Sequence, residues 1–220
     1  MNAVHLRLCG WIVAIAIAGL VIAGPASAER VDLNVFENSS GADVSGLDLW
    51  VDVTSSGGYV DMKFNNDSTI SAILTQIYLE SNLSSLLNNG MIYATTGNVH
   101  FVPGANPSSP PGGTNIGWVG EFYTAGRVKA GGVSNGIDDD AVDPDESLTL
   151  RFDLLTGKTL DDVLSSLVDD GRVAGHVQGL PRGASVSVVT VPLPVAGSAG
   201  LAMLGAIGLA RVVRGRARRR

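Results

Sequence analysis

Six carboxylates fall within nine residues at Asp138, Asp139, Asp140, Asp143, Asp145 and Glu146. Calcium takes about six to eight oxygen ligands, so this run is the first candidate for metal chemistry, with Asp138, Asp140, Asp143 and Asp145 as ligands to test. The spacing is not that of an EF-hand, because Asp143 stands at the sixth position from Asp138, where that loop needs glycine. The same residues serve as capping and turn aspartates of a solvated loop, and that simpler use is the expected one. No cofactor is called for; calcium is the sole ion the pattern brings to mind.

Other chemistry finds less support. His100 and His176 are the histidines beyond the first 28 residues, and Cys9 is the single cysteine. There is no G-x-S-x-G elbow, no H-E-x-x-H and no cysteine set for nucleophilic work. His176 in a strand invites a search for a serine and a carboxylate beside it in space, but a half-buried or surface imidazole is the plainer reading. A glycosidase needs two opposed carboxylates, and 21 acidic residues offer too many pairs to choose one. Trp50, Tyr59, Trp118 and Tyr123 are candidates for a sugar-stacking face, against the default that large aromatics fill the core.

The charge is unevenly placed. The 220 residues carry a formal charge of −6, yet residues 29–191 hold all 21 acidic side chains and 8 basic ones, a local charge of −13. So acidic a body argues against nucleic acid as a partner, since phosphates need a basic surface.

Both ends of the chain read as addresses. Arg7 precedes an uncharged apolar run from Trp11 to Gly24, and Ala26-Ser27-Ala28 follows as a small-residue cleavage site. This is the pattern of a secretory signal peptide, so translocase and signal peptidase are expected partners and Glu29 the first residue of the processed chain. Cutting there removes Cys9, leaving a chain without disulfides for an oxidising compartment. At the other end, Val191-Pro192-Leu193-Pro194 leads into an apolar stretch rich in Gly and Ala. From Val195 to Val213 this stretch counts 19 residues, about 28 Å as a helix and close to a hydrocarbon core. Arg211, Arg214, Arg216, Arg218, Arg219 and Arg220 would hold its end on the cytoplasmic side.

A short proline motif, a marginal transmembrane helix and a terminal arginine cluster in that order resemble the PEP-CTERM sorting signal. Val191 to Pro194 is similar to its VPLPA variant, with Leu193 where the parent motif has Glu and Val195 where the variant has Ala. The body resembles a recurrent β-rich ectodomain of the same proteins. The likeness is carried by Phe64-Asn65-Asn66, Gln76-Ile77-Tyr78-Leu79, Asn135-Gly136-Ile137, Glu146-Ser147-Leu148 and His176-Val177-Gln178-Gly179-Leu180. The resemblance implies an exosortase-like membrane transpeptidase as partner and transient anchoring in the inner membrane of a Gram-negative bacterium. Delivery to the cell surface or extracellular matrix would follow. It brings no catalytic residue.

Positioning falls to strands. Leu47 to Val53, Val60 to Phe64 and Leu148 to Leu154 alternate apolar with polar residues, putting one face on a core and the other in water. Shorter strand candidates are 77–79, 91–93, 99–102, 173–178 and 186–189, with Asn65-Asn66-Asp67, Asn88-Asn89-Gly90, Gly131-Gly132 and Asn135-Gly136 as turns between strands. Pro103 to Gly113, with four prolines, reads as an exposed loop. Leu160, Val163, Leu164, Leu167 and Val168 form one apolar helical stripe, with Thr159 as N-cap, Asp161 and Asp162 in the first turn and Gly171 to end it. The expected architecture is all-β: an antiparallel, jelly-roll-like β-sandwich with one short amphipathic helix, between a signal helix and a transmembrane helix. The divisions are a signal peptide over 1–28, an exported domain over 29–190 and a sorting tail over 191–220.

The expected role is a non-enzymatic surface or matrix protein, structural or adhesive within a polysaccharide-rich envelope. A carbohydrate- or calcium-binding module is the first alternative, and a secreted hydrolase with His176 or a carboxylate pair in a cleft is the second.

Overall fold

A computed structural model describes residues 28–105, 107–120, 127–138 and 146–190. In chain order these form β1 (Glu29–Glu37), β2 (Leu49–Ser56), β3 (Tyr59–Asn66), β4 (Ile73–Leu79), β5 (Leu87–Thr96) and β6 (Phe101–Pro103). Then come β7 (Arg127–Ala130), β8 (Ile137–Asp138), β9 (Ser147–Leu154), α1 (Leu160–Leu167), β10 (Val173–Leu180) and β11 (Ala184–Thr190). The strands pair antiparallel in the order β5-β9-β3-β2-β1-β11-β10-β4-β7-β6, and β8 joins β4. The protein is therefore mostly β with a single α-helix among the described residues.

The first strand joins two ladders. Its first half pairs with β2, Val31 opposite Val51, and its second half with β11, Leu33 opposite Thr190. The alternation seen in the sequence sorts the side chains. Val51 and Val53 of β2, Val60, Met62 and Phe64 of β3, and Leu148, Leu150 and Phe152 of β9 are all shut off from water. They share one core with Leu74, Ile77, Val173, Val177 and Val188 from the β11-β10-β4 ladder. Burying a side chain of this size contributes about 1.5–3 kcal/mol, so this core supplies most of the drive to fold.

The helix follows its stripe. Thr159 accepts a hydrogen bond from the Asp162 amide at 3.2 Å, and the Asp162 carboxylate accepts from the Thr159 amide at 2.8 Å, a reciprocal capping box. Val163 and Leu167 are buried in the main core, and Leu160, Leu164 and Val168 pack around them. The α-helical turns end at Leu167, and Gly171 closes the segment by donating its amide to the Ser166 carbonyl at 2.9 Å.

Two expectations are corrected. Asn88-Asn89-Gly90 is no turn between strands but part of β5, where the register slips between Asn88 and Met91. Asn89 takes φ 49°, and a Cβ on Gly90 would sit 2.4 Å from the Phe152 ring, so the glycine lets the bulged strand lie against an aromatic. The proline-rich segment is not simply exposed either. Pro110 and Gly113 are buried, and Ala105 packs with Tyr78, Ala174 and Val189 in a second apolar cluster flanked by Phe36, Ile116 and Trp118. That face of β4, β10 and β11 is apolar and needs a cover, which Ala105, Ile116 and Trp118 of this segment and the turn after it help supply.

Three strands escaped the sequence reading: β1, β7 and β8. Among the described residues no helix is long and apolar enough to cross a membrane. The expected signal and transmembrane helices fall on residues outside the described ones.

Candidate functional site

The face of the β5-β9-β3-β2-β1 ladder opposite the core is a lattice of polar and aromatic side chains. Register fixes its rows. Thr54 of β2 stands opposite Asp61 of β3, which stands opposite Arg151 of β9. One step along, Arg30 faces Asp52, Asp52 faces Lys63, Lys63 faces Thr149, and Thr149 faces Ala94. Strand pleating puts residues two apart on the same side, so both rows point away from Val53, Met62 and Leu150.

Arg151 is the pivot of this face. Its Nε donates to Asp61 Oδ1 at 2.6 Å and its Nη2 to Oδ2 at 2.5 Å, a two-point pair. The hydrogen-bonded Asp61 carboxylate holds Arg151 charged, pushing its pKa above the ordinary arginine value. The guanidinium lies 3.4 Å from the ring centre of Tyr93 and 5.3 Å from that of Tyr59. Tyr93 is the extra residue of a second slip in β5, between Ile92 and Ala94, which aims its ring outward. On the next strands, Arg30 lies 4.2 Å over Trp50 while reaching Asp32 at 2.6 Å and Asp48 at 2.5 Å. The Asn65 amide donates to Asp52 at 3.0 Å.

A shallow groove of about 310 Å³ runs over the second row. Asp52, Asp61, Lys63, Thr54 and Thr149 line it, Tyr93 and Ala94 form one side, and Ala28 closes another. Tyr93 is 52% exposed, Tyr59 45% and Met91 51%, so this polar face also presents large apolar surface to water.

The expected aromatics divide. Trp50 and Tyr59 lie on this outward face, against the default that placed them in the core, because the pleat gives the inward positions to Val51 and Val60. Trp118 sits half-buried beside the second cluster, on the other ladder, with its indole nitrogen buried and lacking a partner. Tyr123 lies outside the described residues. Tyr93 was missed as a site residue: Met91, Ile92 and Ala94 beside it are apolar, so the residue types around it do not mark its face.

Of the acidic run, Asp138 and Glu146 are described, while Asp139, Asp140, Asp143 and Asp145 lie outside the described residues. The Glu146 carboxylate accepts from the Asn98 amide at 3.1 Å and from the Asp138 amide at 2.9 Å. It thus ties the turn after β5 to β8 and β9. Gly97 makes room for it: its φ is +67°, and a Cβ there would meet Glu146 Cγ at 2.6 Å. Among the described residues no three metal-ligating side chains cluster.

His176 stands opposite Ser187 of β11, and Ser187 stands opposite Glu37 of β1. The imidazole Nδ1 and the Ser187 hydroxyl are both buried without a partner. Burial pulls the His176 pKa below the usual value, with the Val186 backbone opposing it. The order across the strands is histidine, serine, carboxylate. A hydrolytic relay needs the imidazole between the other two, so this row does not form one.

Of the sequence-marked address residues, Ala28 ends at the groove and Glu29 opens β1. Ala26, the segment Val191-Pro192-Leu193-Pro194 and the terminal arginines lie outside the described residues. Compared with known proteins, the chain matches no family model, no curated protein and no solved structure.

Proposed function

We propose that the chain is an exported, non-enzymatic surface or matrix protein whose β body is delivered by a PEP-CTERM-like tail read by an exosortase-like transpeptidase. The body is taken as an antiparallel sandwich of jelly-roll type, because β1 lends one half to each of two ladders that share a core.

One observation carries the reading. The first strand begins at Glu29, the residue after the expected signal cleavage, and Ala28 before it belongs to no strand. The last described strand, β11, is its neighbour, with Leu33 opposite Thr190, so the expected N-terminal cut leaves every described strand intact. The role is structural or adhesive in a polysaccharide-rich envelope.

An epitope tag appended after Arg220 tests the sorting. The tag is expected in the membrane-bound precursor and absent from surface-delivered protein, and intact mass of the delivered form gives both cut sites. Surface protein that retains the tag overturns the exosortase reading and leaves a plain anchor.

A further inference from the structure

We propose that the groove over the β2-β3-β9-β5 face is a binding site for a neutral polysaccharide, with a pyranose ring stacked on Tyr93. This deepens the adhesive part of the reading above by naming the ligand, and it does not depend on whether the tail is cut.

Three features of the face select that chemistry. The first is the exposed ring. Tyr93 is more than half open to water beside the charged and hydroxyl groups of the groove, and the apolar face of a sugar ring is the kind of flat surface such a ring covers well. The second is the mixture of hydrogen-bonding groups beside it. Asp52 and Asp61 accept, Lys63 donates, and Thr54 and Thr149 do both. A hydroxyl group both donates and accepts, so a polyol satisfies all of them together.

The third is charge. The two carboxylates at the groove are offset by Lys63 and by Arg151, which Asp61 already holds. An anionic chain would meet Asp52 and Asp61 within a body of charge −13, and a cationic one would meet Lys63 and Arg151. A neutral chain meets neither penalty.

The site is also prepared before any ligand arrives. Asp61 fixes Arg151 at two points, and Arg151 backs the Tyr93 ring at 3.4 Å. The ring is therefore held in place at little further cost in side-chain freedom on binding. The groove is open, shallow and crosses several strands, which suits the side of a long chain better than a small enclosed molecule.

The experiment uses the full chain purified in detergent, run in native gels cast with soluble polysaccharides. The neutral probes are a β-1,3-glucan, hydroxyethylcellulose, xylan, galactomannan and dextran; alginate and hyaluronate are the anionic ones. At least one neutral polymer is expected to retard the protein, with Tyr93→Ala weakening the retardation at least about tenfold, Lys63→Ala weakening it severalfold and Tyr93→Phe keeping it. Val133→Ala, at an exposed position on the other ladder's side, is expected to bind as the parent does. Tyr93→Phe is expected to keep the parent's melting temperature and Tyr93→Ala to lower it only slightly through the lost Arg151 contact, both measured alongside.

Retardation by no neutral polymer, or by the anionic ones alone, overturns the proposal. Neutral binding that Tyr93→Ala leaves unchanged overturns the placement. Failure in the gel leaves the sorting test untouched, and a retained C-terminal tag leaves the gel result untouched.

Discussion

Glu80 and Arg172 meet in a two-point pair, with Arg172 Nε donating to Oε2 at 2.8 Å and Nη2 to Oε1 at 2.6 Å, and Glu80 wholly buried. The same carboxylate accepts from the amides of Val119 at 2.8 Å and Arg172 at 3.2 Å. The guanidinium also reaches the carbonyls of Ile116 and Gly117. One ion pair thus binds the end of β4, the start of β10 and the segment that covers the second apolar cluster. Arg172→Met leaves a buried carboxylate without its cation and should cost about 3–5 kcal/mol in a denaturant titration. Glu80→Gln keeps only one of the two amide contacts, since its NH2 cannot accept, but it buries no unpaired charge on residue 80 and should cost less, about 1–3 kcal/mol.

His176 should make stability depend on pH. Its folded pKa is lowered by burial, so between that value and the unfolded value the unfolded chain binds more protons. The contribution is fully present above about pH 6.5 and is lost as pH falls from there through the folded pKa. His176→Gln, which never charges, should flatten that part of the curve. Melting temperatures measured from pH 7.5 to 5 read the difference.

Thr190 latches the end of the last strand. Its hydroxyl donates to the Leu167 carbonyl at 2.6 Å and accepts from the Val173 amide at 3.0 Å, all of it buried. Thr190→Val keeps the shape but strands both backbone groups, and should cost about 1–3 kcal/mol. Thr190→Ser should recover most of the loss. Denaturation midpoints compare the three proteins.

Processing at the N-terminus gives a further check. Export should yield a chain starting at Glu29, and Ala28→Phe should block the cut. N-terminal sequencing of the exported protein decides this; a sequence that retains Trp11 would refute the signal-peptide assignment.

The main strands were legible because β2, β3 and β9 bury one face only, and period two is then written in the residue types. The helix was legible for the same reason at period 3.6, down to its Thr159 cap. β1 alternates as well, with Val31, Leu33 and Val35 apolar, but it begins directly after the expected cleavage site, with no turn residues to set off its start. β7 and β8 have four and two residues, too short for a period to show.

The candidate groove was only half legible. Trp50 and Tyr59 were visible as aromatics, yet which face they take depends on register, and Tyr93 reaches the site through a slip in β5 that no periodicity records. The Glu80–Arg172 pair joins residues 92 positions apart and has no local trace at all.

The place of β11 has a mechanical consequence. It lies between β1 and β10, antiparallel to both, and the chain leaves it at Thr190. A pull on that exit along the strand loads both flanking ladders lengthwise, so their hydrogen bonds share the force and must slide together instead of opening one by one. An edge strand, or a pull across the sheet, would unzip from one end. Tension applied along β11 at Thr190 is therefore met in shear.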